Sequence, residues 1–125
     1  MAKHATPPTA AQQAGNAGEA LACTYLQDRG LSLLMRHYRS PFGEIDLVMR
    51  DGDILIFVEV RQRRSEQFGT PAETVDARKQ ARLRATAEHY LQRHTRESQN
   101  PCRFDIVAII DNAGGQRIEW LRDAF

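Results

Sequence analysis

The chain has 125 residues, 42% of them hydrophobic and 26% charged, with a formal net charge of +1. That length supports one domain with a real core and leaves no room for a second. No apolar run nears the roughly 18 residues of a membrane span, and the first residues lack the apolar stretch of a secretory leader, so the expectation is a cytoplasmic protein without a membrane partner.

Residues 1–14 are rich in Ala, Gln, Thr and Pro, lack periodicity, and are expected to form a disordered tail, which places the domain at residues 15–125. Asn16 as N-cap with Glu19 at N3 predicts a helix through Ala20, Leu21, Ala22, Cys23 and Leu26, closed by Gly30. Glu19 then has two readings, a capping-box acid or a ligand. Leu31 to Arg39 reads as a first strand that turns basic and aromatic at Arg36-His37-Tyr38-Arg39 and enters a loop at Ser40-Pro41. Arg36 and Arg39 are candidate phosphate contacts, or edge-strand charges that keep the sheet soluble.

The strongest local signal comes next. Gly43 to Arg50 and Ile54 to Arg61 are two strand-length runs rich in Ile, Val and Phe, joined at Asp51-Gly52-Asp53, which predicts a hairpin. Strand alternation gives one wholly apolar face, Ile45, Leu47, Met49, Ile54, Ile56, Val58 and Val60. The other face is apolar near the turn but carries Glu44, Asp46, Glu59 and Arg61 at its open end. With Gly52-Asp53 as the loop, Asp46 falls opposite Glu59; with Asp51-Gly52, Glu59 faces Glu44 and lies diagonal to Asp46. In either register acids meet on one face, where opposed Cβ atoms lie roughly 4.5 to 5.5 Å apart and like charges destabilise. A cation is therefore expected between them, either Arg61 or a bound metal. Oxygen-only carboxylate ligands suit Mg²⁺ or Mn²⁺.

Gln62 to Gly69 reads as a polar, basic loop beside these acids, with Arg63 and Arg64 as candidate substrate contacts. Thr70-Pro71-Ala72-Glu73 carries a helix-start signature, with Thr74 or Val75 as alternative starts. The helix has an inner stripe of Val75, Lys79, Leu83, Ala87, Tyr90 and Leu91, and a polar side with Arg78, Arg82, Arg84 and Arg93. Lys79 on that stripe either snorkels to solvent or points at the acidic sheet end. Phe104 to Ile110 is a nearly continuous apolar run, the mark of a strand buried on both faces. Asp105 at its mouth is a further polar contributor or a partner for nearby arginines, and Arg117 to Leu121 is a candidate final edge strand. The fold class is α/β, a central mixed β-sheet flanked by helices in the order αβββαβ.

Charge is unevenly spread. Residues 61–103 hold ten Lys/Arg against five Asp/Glu, a balance of +5, and the remainder has seven against eleven, a balance of −4. A basic middle beside an acidic strand end suits a phosphodiester partner. Nucleotide-binding GxxxxGK[ST] and nucleophile-elbow GxSxG motifs are absent, and His4, His37, His89 and His94 have no zinc-ligand spacing. Cys23 and Cys102 are read as reduced, small core residues, and Trp120 as edge packing.

Gly18-Glu19, Arg36-His37-Tyr38-Arg39, Gly43-Glu44-Ile45-Asp46-Leu47, Phe57-Val58-Glu59-Val60-Arg61, the Val75 and Lys79 pair, and Arg103-Phe104-Asp105 together resemble the YraN family of small bacterial proteins. That family is similar to archaeal Holliday-junction resolvases and to nucleases of the restriction-endonuclease-like PD-(D/E)XK fold. The resemblance, from Gly15 to about Ile110, implies that Asp46 is the signature Asp, Glu59 its second acid, and Glu19 the helix acid that completes the site. Glu44-Ile45 replaces the Pro that often precedes that Asp, and Arg61 stands where the signature has Lys.

Arg61 is always charged and cannot serve as a general base. It can stabilise charge developing on a phosphate, and an inward Lys79 would compensate for the missing lysine. The resulting expectation is a metal-dependent endonuclease of resolvase type acting on DNA, with Asp46 and Glu59 holding Mg or Mn, Arg61 and Glu19 supporting catalysis, and Arg36, Arg39, Arg63, Arg64, Arg78, Lys79 and Arg82 contacting nucleic acid. A homodimer would suit two cuts on a symmetric junction. The alternatives are a non-catalytic nucleic-acid-binding module that keeps the nuclease fold, and a protein-interaction role in which the acids form only a paired surface network.

Overall fold

A computed structural model describes residues 10–64 and 75–125, with side chains described from residue 16 onward. The elements are α1 (Ala10–Gln27), β1 (Ser32–Ser40), β2 (Gly43–Asp51), β3 (Ile54–Arg64), α2 (Ala77–Arg93), a short 3-10 turn (Thr95–Glu97), β4 (Cys102–Asn112) and β5 (Gly115–Leu121). One five-stranded sheet runs β1-β2-β3-β4-β5 in space. All neighbours are antiparallel except β3 and β4, which run parallel because α2 lies between them in sequence. The architecture is thus α/β with a mixed sheet, in the expected αβββαβ order with a final strand added.

Each face of the sheet buries one helix. Ala22, Cys23 and Leu26 of α1 pack on Leu47, Met49, Ile56, Val58 and Val107. Leu83, Ala87 and Tyr90 of α2 pack with Val75 on Val48, Leu55, Phe57 and Ile106. β4 is buried on both sides from Asp105 to Ile110, as its apolar run requires. The Val75, Leu83, Ala87, Tyr90 stripe of α2 is the predicted one, joined by Thr86, whose hydroxyl donates to the Arg82 carbonyl.

Several local expectations need correction. α1 begins at Ala10, before Asn16, so Asn16 is not an N-cap, Glu19 is not a capping-box residue, and Ala10 to Ala14 are helical rather than tail. Residues 1–9 lie outside the described residues. β3 continues to Arg64, so Gln62, Arg63 and Arg64 belong to a strand rather than a loop, because each pairs along β4 from Ile109 to Asp111. α2 starts at Ala77 after Asp76, whose carboxylate accepts the Lys79 amide at 2.8 Å; the Thr70 and Thr74 starts lie outside the described residues. Cys102 is exposed at the mouth of β4, while Cys23 is buried.

The hairpin takes the Gly52-Asp53 loop: Asp51 faces Ile54, and Gly52 leads with φ 58, which a Cβ-bearing residue would resist. Alternation along β2 does not run straight to its open end. Ile45 packs in the α2-side core while Leu47 and Met49 pack on the α1 side. The reason is a kink at Asp46. The β2–β3 ladder stops at the Leu47–Val58 pair, and the Val60 N–H donates instead to Asp46 Oδ2 at 2.8 Å. Across on β1, His37 takes φ 54 between the Arg36–Leu47 and Tyr38–Ile45 pairs. A side chain has replaced a backbone acceptor, and the sheet mouth opens around it.

Candidate metal centre

Five elements, α1, β1, β2, β3 and α2, deliver charge to this mouth. Glu19 continues the buried α1 stripe of Ala22, Cys23 and Leu26, one turn earlier, which puts its carboxylate over the open end of the sheet. The helix comes close there because the preceding residue is Gly18: a Cβ at that position would sit 3.2 Å from the Gln62 side chain. Glu19 is only 7% exposed. Its Oε2 touches His37 Nε2, lies 3.7 Å from Arg36 Nη2, and has no aligned hydrogen bond.

Asp46 comes from the kink in β2. Glu59, buried on β3, places Oε1 3.0 Å from Lys79 Nζ and 3.6 Å from Arg61 Nε. Lys79 therefore points inward from the first turn of α2 rather than snorkelling away. Glu44 accepts from Arg39 Nε at 3.2 Å and lies 3.1 Å from His37 Nδ1. Gly43, Glu44, Asp46, Glu59, Lys79 and Arg82 line one pocket.

The cations present only partly offset burial and mutual repulsion among the acids. Burial pushes the Asp46 carboxyl up to about 6; its bond from Val60 lowers it, and the nearby Glu19 and Glu44 raise it further. Glu59 is raised by burial and by Asp46, against the pull of Lys79 and Arg61. Glu19 is raised by burial, with His37 and Arg36 acting the other way. Three acids from α1, β2 and β3 are thus all harder to ionise than in water, in spite of the cations beside them.

This donor set fits a hard divalent cation. Asp46 and Glu59 offer carboxylate oxygens, the Glu19 Oε2 is buried without an aligned hydrogen bond, and an added positive charge would relieve the mutual repulsion of all three. Among the described residues, however, the group of three donors that all lie within 4.8 Å of one another is Glu19, His37 and Glu44, without Asp46 or Glu59. That second group adds an imidazole, which first-row transition ions accept more readily than Mg²⁺ does.

The structure brings together Glu19, Asp46, Glu59, Arg61 and Lys79 of the residues picked from sequence, with Arg82 at the pocket wall. Arg36 is paired with Glu19 and the Asn16 carbonyl, and Arg39 reaches Glu44 while remaining largely exposed. Arg63 and Arg64 follow along β3, and Arg78 is exposed at the start of α2. Sequence reasoning missed His37 and left Glu44 out of the site. Both stand in quoted motifs, but only the φ of His37 turns its ring between Glu19 and Glu44.

Asp105 has a different fate. It is fully buried, accepts Arg103 Nε at 2.9 Å and Nη2 at 3.2 Å, and takes Trp120 Nε1 and the Asp123 N–H at 2.9 Å each. It is a structural knot tying β5 and the chain end to β4, which also explains the placing of Trp120.

The model of the family described as "Uncharacterised protein family UPF0102" matches residues 18–109, a span that includes every acid above. The chain belongs to the UPF0102 family. This is the YraN family of the motif resemblance. A UPF0102 protein of Nitrosococcus oceani is 49% identical over 118 residues, covering 94% of this chain and 95% of its own. One of Nitrosomonas europaea is 50% identical over 115 residues, covering 90% and 95%. Among solved structures, a chain of an EndoMS–dsDNA2 complex is similar over 83% of this chain, with 16% identity and a TM-score of 0.40; this chain spans 38% of that one. Among the described residues no helix is long and apolar enough to cross a membrane.

Proposed function

We propose that this UPF0102 protein is a Mg²⁺- or Mn²⁺-dependent endonuclease of resolvase type that hydrolyses DNA phosphodiesters. The observation that carries the reading is Asp46: a carboxylate at the mouth of the sheet, held to about 6 by burial and by the nearby Glu19 and Glu44, with a backbone bond from Val60 and the Glu19 carboxyl within hydrogen-bond reach. Asp46 and Glu59 would hold the metal, with Glu19 completing the oxygen shell. A divalent ion bound there would polarise the phosphodiester and lower the pKa of a coordinated water.

The protein's own groups have distinct roles. Lys79 Nζ, 3.0 Å from Glu59, stands in for the ammonium that the signature motif supplies two residues after its second acid. Arg61 Nε, 3.6 Å from the same oxygen, is a permanent charge suited to a phosphate oxygen and unsuited to proton abstraction. Arg82 on the pocket wall adds positive charge where the diester backbone would enter.

The test is a cleavage assay on duplex, single-stranded and branched DNA with each metal, with Asp46→Asn alongside. Metal-dependent cleavage by wild type is expected, reduced about 100-fold or more in the variant. Equal cleavage by both proteins removes the assigned site. A second reading, a nucleic-acid-binding module without turnover, draws support from Lys79 and Arg61 both meeting Glu59 Oε1, an internal cation arrangement that can hold the acids without metal. It predicts strongly salt-dependent binding in chelator and no cleavage with either metal.

A further inference from the structure

The β1–β2 turn separates two unlike cavities. Gly43 lines the acidic pocket with Asp46 and Glu59. Ser40 and Pro41 line a groove on the other side, whose remaining walls are Tyr38, Arg39, His89, Arg93 and His94. Phe42, in the chain between Pro41 of the groove and Gly43 of the pocket, is 54% exposed, the most exposed of the large hydrophobic side chains among the described residues. A Phe in water forgoes about 1.5–3 kcal/mol of burial. Isolated exposed apolar residues are common, so the placement and the rigidity of this one carry the inference.

The turn is bolted down. Ser40 Oγ accepts the Phe42 N–H at 3.1 Å, meets Thr86 Oγ1 at 3.1 Å and donates to the Gly43 carbonyl at 3.3 Å. Thr86 is fully buried in α2. Phe42 is thus presented outward from a fixed backbone, with His89 as a ring neighbour at 6.4 Å between centroids. The groove beside it is cationic and aromatic. Arg39 and Arg93 are exposed, Tyr38 is fixed by a 2.6 Å bond to His89 Nδ1, and His94 Nδ1 lies 2.9 Å from the Tyr90 carbonyl, which leaves Nε2 as its second polar atom.

We propose that Phe42 is a stacking wedge for an unpaired base, seating a single strand with its phosphates along Arg39 and Arg93 in the groove and its scissile diester toward the Asp46–Glu59 pocket. Exposed aromatic faces flanked by cationic grooves recognise unstacked bases without sequence preference, and apolar side chains inserted at base steps hold strands apart. This deepens the nuclease reading by naming its substrate class, DNA with a junction between paired and unpaired strands, and it rests on that reading for the direction of the strand.

The test uses the full chain in chelator at low salt, with a DNA hairpin bearing a single-stranded overhang and 2-aminopurine as the first unpaired base. Wild type is expected to bind and quench the 2-aminopurine. Phe42→Ala is expected to bind about tenfold more weakly, with an unchanged salt slope and no quenching. Phe42→Trp restores both, and Arg93→Gln keeps the quenching while lowering the salt slope by about one. Phe42→Ala binding and quenching like wild type overturns the wedge. So does Phe42→Ala altering only the sedimenting species, which would make Phe42 a contact between copies. Quenching without cleavage in metal sinks the nuclease reading alone, and Asp46-dependent cleavage indifferent to Phe42→Ala sinks the wedge alone.

Discussion

Asp46 and Asp105 are both aspartates of the central sheet, on strands flanking β3, yet the protein treats them in opposite ways. Asp105 receives two nitrogens of Arg103, the Trp120 indole and a backbone amide, so its buried charge is fully met by fixed donors. Asp46 receives one backbone amide and faces other acids, and its carboxyl sits at about 6. A buried charge with every lone pair satisfied holds a structure together. One left short of donors beside like charges is unfavourable unless something else arrives, and unrelieved acids of that kind mark functional sites.

The comparison breaks most visibly at Asp105. Asp105→Ala would leave the Arg103 guanidinium and the Trp120 N–H without their acceptor, and a loss of about 3–5 kcal/mol is expected in urea unfolding. Should that variant not fold, Asp105→Asn, which keeps one acceptor oxygen but sets an NH2 against either Trp120 Nε1 or the Asp123 N–H, is also expected to lose stability, by less than Asp105→Ala. Neither change is expected to alter metal affinity of the folded protein. A loss under about 1 kcal/mol for Asp105→Ala would mean that the knot is dispensable.

Asp46→Asn should act the other way. With a carboxyl at about 6 against an ordinary 3.8, the folded protein keeps a proton that the unfolded chain has already released between those values. Stability is therefore lost as pH rises through that window, and the full cost is present above it. Asparagine cannot ionise, and its Oδ1 still accepts the Val60 N–H. The variant should be up to about 3 kcal/mol more stable than wild type at pH 8, with the gain fading toward zero below pH 4. Urea melts at three pH values check this, and a destabilised variant at pH 8 would put Asp46 in the same class as Asp105.

What could be read in advance followed from periodicity and register. Asp51-Gly52-Asp53 sits between alternating runs, so the hairpin was legible, and counting back from either turn put Asp46 beside or opposite Glu59. Lys79 was legible as the one charge on an apolar helical stripe. Glu19 was reached only through the family resemblance, since its place depends on a helix reaching back to Ala10 and docking through Gly18, and a capping motif explained the same letters more simply. Glu44 was placed on the acidic face but given no role, and His37 stayed hidden because its positive φ, which turns the ring between Glu19 and Glu44, leaves no mark in the sequence. The Asp105 knot needs the chain end to return to β4, a contact that no local pattern encodes.

The smallest effect expected is also the sharpest for the metal. Calorimetric titration of Mn²⁺ should give an affinity in Glu59→Gln at least about tenfold weaker than wild type, because one of two anchoring carboxylates has lost its charge while its neutral oxygen remains. Wild-type affinity should itself fall between pH 7 and pH 5, as protons return to Asp46 and compete with the ion. Lys79→Met separates this from a purely internal pairing. In wild type the ammonium at 3.0 Å already neutralises Glu59, so its removal should tighten Mn²⁺ binding if the ion uses that carboxylate and leave it unchanged if the ion sits elsewhere. If Glu59→Gln and Lys79→Met both bind as wild type does while His37→Gln does not, the ion belongs to the Glu19, His37 and Glu44 group instead. Asp46 and Glu59 would then be acids held apart by Lys79 and Arg61, closer in kind to Asp105 than their pKa shifts imply.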